Sequence, residues 1–105
     1  MWTDNNDEIL KLYTQLDSGK KFPTKCPVCN NRSAHLYMHV ENLKTRRGGF
    51  WVWCSECHVF SHGSIYVQDN WINYSGVNEE KLTATPGYLE KMKEEIDAHV
   101  NESLM

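Results

Sequence analysis

The sequence has no apolar run near the roughly 20 residues of a membrane span, so a transmembrane helix is not expected. It has no internal repeat or low-complexity tract beyond the loose resemblance of its two cysteine pairs. Its opening residues, MWTDNNDEIL, are acidic and lack the basic-then-apolar order of a secretory leader. A cytoplasmic protein is the expectation that follows. At 105 residues the chain has no room for a second independent core, so it reads as one domain spanning 1–105. It also lacks an excess of basic residues: the net charge is −3 and the isoelectric point about 5.9. Domains that grip nucleic acid are usually more basic. Neither an Asp/Glu pair nor a Ser/His/Asp set can be read from residue order, and no enzyme is expected.

What is present is uneven. In residues 1–19, Asp4, Asp7, Glu8 and Asp17 outweigh Lys11. Residues 20–68 are basic, with Lys20, Lys21, Lys25, Arg32, Lys44, Arg46 and Arg47 against Glu41 and Glu56. Residues 69–105 carry eight acids and three lysines. A basic middle lies between acidic ends.

The local patterns predict an α+β fold. A first helix spans about 5–18, capped near Asn5 with Glu8 placed for a capping box and Gly19 as its stop. Ile9, Leu12, Tyr13 and Leu16 share one face. AHLYMHVEN alternates, with Leu36, Met38 and Val40 pointing one way and His35, Tyr37, His39 and Glu41 the other. LKTRRGG reads as a hairpin tip with Gly48 and Gly49 supplying backbone freedom. FWVWC is the return strand and SIYVQD a third strand, giving three antiparallel strands within about 24–68. Residues 69–84 form a connector with a helical turn at NEEKL. A long helix spans about 85–104, capped by Thr85 with Pro86 at its first position. Leu89, Met92, Ile96, Val100 and Leu104 form its apolar stripe.

The chemistry concentrates in four cysteines. Cys26-Pro-Val-Cys29 and Cys54-Ser-Glu-Cys57 are two C-x2-C pairs separated by 24 residues. In a reducing compartment such pairs point to metal or redox chemistry rather than disulfides. Two pairs flanking a hairpin do not match the lone, helix-opening C-x-x-C of a thioredoxin-type motif. Each pair can present two sulfurs to one ion, and two pairs complete a tetrahedral four-thiolate site that suits Zn2+; an iron–sulfur centre is the rival. His58 and His62 adjoin the second pair as candidates to support the metal or replace a ligand. His35 and His39 share a strand face, but no third ligand accompanies them.

This order of knuckle, strand, turn, strand, knuckle and third strand resembles the zinc ribbons over roughly residues 24–68. The whole chain is similar to small bacterial zinc-ribbon proteins with a C-terminal helix. The resemblance implies one structural Zn2+ and a hairpin used for contacts, which places Lys44, Arg46, Arg47, Trp51 and Trp53 as candidate contact residues. Two functions follow. One is a non-enzymatic protein-interaction module, in a concrete version an immunity or inhibitor protein that docks on a basic target, its acidic C-terminal segment, including Glu90, Glu94, Glu95 and Asp97, steering the encounter. The other is a nucleic-acid-binding ribbon using the basic tip, with Trp51, Trp53 and Tyr37 stacking on bases. Four thiolates around Zn2+ carry −2 and weaken the second reading.

Overall fold

The computed structural model describes residues 2–4, 7–14 and 21–103. Its centre is an antiparallel sheet in the order β1 (Thr24–Lys25), β2 (Arg32–Asn42), β3 (Arg47–Cys54) and β4 (Phe60–Tyr66). The α+β architecture agrees with the sequence pattern, but there are four strands rather than three. The additional β1 is two residues long, too short for any periodicity, and sets Thr24 beside Ala34 just ahead of the first cysteine pair.

The central strands are buried on both faces. Leu36 faces Val52 and Met38 faces Phe50 across one side of the β2–β3 ladder; His35 faces Trp53 and Tyr37 faces Trp51 across the other. All eight are buried. Helix α1 (Asp7–Thr14) lies against β3 and β4, with Ile9 and Leu12 buried and the Tyr13 ring stacked on Phe50 at 4.4 Å. The predicted cap at Asn5, the apolar Leu16 and the stop at Gly19 lie outside the described residues.

Helix α3 (Lys93–Ser103) packs on β2. The predicted single helix over 85–104 is two: α2 (Gly87–Glu90) and α3, with a turn at Lys91–Met92 that no proline or glycine announces. Pro86 precedes the first helical position and no side chain caps α2. The stripe holds nonetheless, with Leu89, Ile96 and Val100 buried; Leu104 lies outside the described residues.

The connector covers the sheet. Trp71 is buried and its indole donates to the Met38 carbonyl at 2.9 Å. Asn73 accepts from the Val40 N–H at 2.8 Å and donates to its carbonyl at 3.0 Å. These contacts occupy the free edge of β2, which would otherwise invite another strand. The helical turn expected at NEEKL is a short 3-10 turn, Glu79–Lys81, capped by Asn78.

The hairpin tip also differs from expectation. Leu43–Arg46 turn the chain, the Asn42 side chain accepts from the N–H groups of Lys44 and Thr45, and the left-handed position is Arg46 at φ 60°. Gly48 and Gly49 belong to β3. Gly48 is needed for closeness rather than freedom, because a Cβ there would collide with the His39 carbonyl of β2. Likewise β4 begins at Phe60 and passes through Gly63, where a Cβ would meet the Phe50 ring at 2.9 Å.

Candidate metal centre

The two cysteine pairs adopt one local conformation. In the first, the Asn30 N–H donates to the Cys26 carbonyl at 2.9 Å, the Val28 N–H points at Cys26 Sγ at 3.4 Å, and Asn30 closes the turn at φ 68°. In the second, the His58 N–H donates to the Cys54 carbonyl at 3.1 Å, the Glu56 N–H points at Cys54 Sγ at 3.3 Å, and His58 closes the turn at φ 62°. The Cys57 N–H adds a further contact to Cys54 Sγ at 3.4 Å. Amides aimed at sulfur favour the thiolate form that binds metal.

The hairpin then brings the turns together. Cys26 and Cys57 sulfurs are 3.8 Å apart, Cys29 and Cys54 sulfurs 3.6 Å apart, and all four lie within 4.8 Å of one another. These separations are far beyond a disulfide bond of about 2.05 Å. A tetrahedron with metal–sulfur bonds of about 2.3 Å has edges of about 3.8 Å. The four cysteines are therefore positioned to hold one metal ion. Cys26 and Cys54 are buried, Cys29 and Cys57 half-buried. Burial raises the Cys26 thiol and pushes Cys57 up to about 12, whereas the amide at Asn31 brings Cys29 down to about 7. The Ser33 hydroxyl lies 3.0 Å from Cys54 Sγ and the Asn31 carboxamide donates to Cys29 Sγ at 3.5 Å.

Neither nearby histidine joins this group. The His58 ring packs on Trp2 at 4.8 Å, and His62 stacks on Phe60 with its Nε2 3.7 Å from Asp4. Among the described residues, the cysteine quartet is the one cluster of three or more metal-ligating side chains.

The candidate contact residues separate. Lys44 and Arg47 are exposed. Arg46 is not free: its guanidinium donates to the carbonyls of Gln68 at 2.6 Å and Trp71 at 2.8 Å, fastening the hairpin to the connector. Trp51 and Trp53 are core residues, not surface contacts. They are 8% and 0% exposed, with indoles donating to the Thr83 carbonyl and to Glu90. Tyr37 is buried as well, its hydroxyl 2.9 Å from His39 Nδ1 and accepting from the Tyr74 N–H. The hairpin carries these aromatics inward because both of its faces are covered.

The two histidines of the β2 strand face are buried too, His35 at 3% and His39 at 5%. Burial lowers His39 below its usual value, with Glu79 at 3.4 Å pulling the other way. His35 belongs to a chain that residue order conceals, since its members lie up to 62 positions apart. Its Nδ1 faces both Asp97 oxygens at 2.8 and 2.9 Å, and its Nε2 lies 2.8 Å from Ser55 Oγ. Ser55 donates to Glu90 at 2.7 Å. Burial raises Glu90, but hydrogen bonds from Ser55, Trp53 and Lys93 outweigh it and hold the carboxyl below its usual value. Although Asp97, His35 and Ser55 stand in the order of a serine nucleophile's relay, Ser55 has one hydroxyl proton and gives it to Glu90 rather than to His35. The Ser55 amide is occupied by the Ser33 carbonyl at 2.9 Å and is not available to an oxyanion. Of the four acids expected to steer a partner, Glu94 and Glu95 are exposed; Asp97 is buried and Glu90 is tied inward.

Compared with protein-family models, with curated proteins and with solved structures, the chain has no match. No helix among the described residues is long and apolar enough to cross a membrane.

Proposed function

We propose that this chain is a non-enzymatic protein-interaction module of zinc-ribbon type, stapled by one structural Zn2+ held by Cys26, Cys29, Cys54 and Cys57. Zinc suits the site because soft thiolates and near-tetrahedral sulfur spacings match a d10 ion with no geometric demand of its own. Four thiolates fill its coordination sphere and leave no position for a reactive water. When bound, the ion supplies a cross-link and no reaction step.

The observation that carries the interaction reading is where the recognition-grade side chains are spent. Trp51, Trp53, His35, His39 and Arg46 all bond internally. Glu79 and Glu80 on the connector and Glu94 and Glu95 on α3 stand in solvent. An acidic surface on a rigid, metal-clasped body fits a basic protein target, the arrangement of an immunity- or inhibitor-type protein, where charge governs encounter rate. A nucleic-acid reading keeps exposed Lys44, Arg47, Lys25 and Arg32, but not the stacking aromatics.

The test is binding of zinc-loaded protein to single- and double-stranded nucleic acid at two salt concentrations, beside a Lys44/Arg47→Glu variant. The expected result is no micromolar complex at either salt. Binding that weakens with salt and disappears in the variant would transfer the function to phosphate recognition. For a basic partner recovered with the tagged chain from its native host, Glu94/Glu95→Lys is expected to slow association.

A further inference from the structure

We propose that docking of α3 and binding of metal at the cysteine site are coupled, with Asp97, His35 and Ser55 acting as positioning residues that carry the coupling into the second cysteine turn. This rests on the reading that the four cysteines hold a metal ion.

Helix α3 supplies no ligand, yet it reaches the base of both turns. Through Asp97 it holds His35, which holds the hydroxyl of Ser55, the residue following Cys54. Glu90 of α2 accepts from that same hydroxyl. Through Asn101 the helix accepts the Phe22 N–H at 2.6 Å and donates to the Phe22 carbonyl at 2.8 Å, in the segment that leads through β1 to Cys26. Every buried side-chain nitrogen and oxygen among the described residues has a partner. A movement of the 54–57 turn when metal leaves would therefore break two bonds at Ser55 together and strip partners from buried His35 and part-buried Glu90. Leaving such groups half-satisfied is more costly than losing a bond at the surface.

Docked helices thus favour the turn shape that binds metal, and metal favours docked helices by the same factor. The ion would set how firmly α3, with Glu94 and Glu95 on its outer side, is presented to a partner.

The test is zinc affinity by chelator competition on the full chain for wild type, Asp97→Asn, Ser55→Ala and the double variant. Val100→Ala serves as control, since Val100 is fully buried on α3 but outside the polar chain. Asp97→Asn and Ser55→Ala are each expected to weaken zinc binding about 10-fold, within the range for residues that orient ligands. The double variant is expected to be no weaker than the worse single one, because both interrupt one chain. Val100→Ala is expected to lower stability and leave affinity within about 2-fold, because the helix stays docked and the Asp97–His35–Ser55 chain to the cysteine turn is intact. In parallel, zinc is expected to slow amide exchange over residues 96–103 more in wild type than in Asp97→Asn. If Asp97→Asn does not fold, Ser55→Ala carries the test alone, since it deletes one hydroxyl. Unchanged affinity in both single variants would overturn the coupling, as would a Val100→Ala loss equal to theirs. A wild-type chain that binds no zinc would instead overturn the metal reading beneath it.

Discussion

Around Cys26–Cys29 the chain faces solvent: Pro27, Val28 and Asn30 are exposed, Val28 at 42%. Around Cys54–Cys57 the same backbone turn is embedded. Ser55 is held by His35 and Glu90, the His58 ring lies on Trp2, and Thr3 pairs alongside Val59 through the His58 carbonyl and the Phe60 N–H. The metal-binding shape is local, fixed by five residues and one left-handed position in each turn. The embedding comes from residues 20 or more positions away, at the N-terminus, in β2 and in α2. One turn acts as a clip on the surface, and the other connects the clip to the body.

The largest effect expected from breaking this arrangement is at a ligand of the embedded turn. Cys54→Ser is expected to lose metal and the folded sheet together, since metal-binding energy in such sites is folding energy on the order of 10 kcal/mol. Circular dichroism during zinc titration reads it, and a variant that kept both would refute the ligand assignment.

A smaller effect is expected beneath the same turn. Trp53→Ala should cost about 3–5 kcal/mol in denaturant unfolding, the usual range for emptying a core aromatic site. Val28→Ala on the surface turn should stay within about 0.5 kcal/mol. Equal costs would erase the distinction between the turns.

At the far end of the hairpin, Arg46→Ala should cost about 1–3 kcal/mol through bonds lost to the Gln68 and Trp71 carbonyls. Exposed Arg47→Ala should be near neutral.

The smallest effect is a pH dependence. Burial holds His39 below its usual value, so the unfolded chain takes up that proton first as pH falls. The stability from neutral His39 is complete above about pH 6.5 and is lost as pH falls toward the folded value. His39→Gln is expected to remove this component, read as a smaller drop in melting temperature between about pH 7.5 and 5.5.

The cysteine spacing, the hairpin and the apolar stripes of α1 and α3 were legible because each is a short-range pattern. Coverage of the sheet was not. His35, Tyr37 and His39 alternate with Leu36, Met38 and Val40 as they would in a strand with one wet face, yet the polar tips are satisfied by Asp97, His39 and Tyr74 from within and beyond the strand. Trp51 and Trp53 look the same on an exposed hairpin and beneath a helix; Thr83 and Glu90 decide between them. The connector packs rather than links, with Trp71 buried and Tyr74, Val77 and Leu82 against the core, none of it at a regular period. Gly48 and Gly49 read as a turn because composition does not separate backbone freedom from close strand approach.

The most direct test is metal analysis with X-ray absorption on the purified full chain. One zinc per chain, surrounded by four sulfurs at about 2.3 Å, is the predicted result. A chain that carries no metal, or a zinc with oxygen or nitrogen in place of any of the four sulfurs, would contradict it.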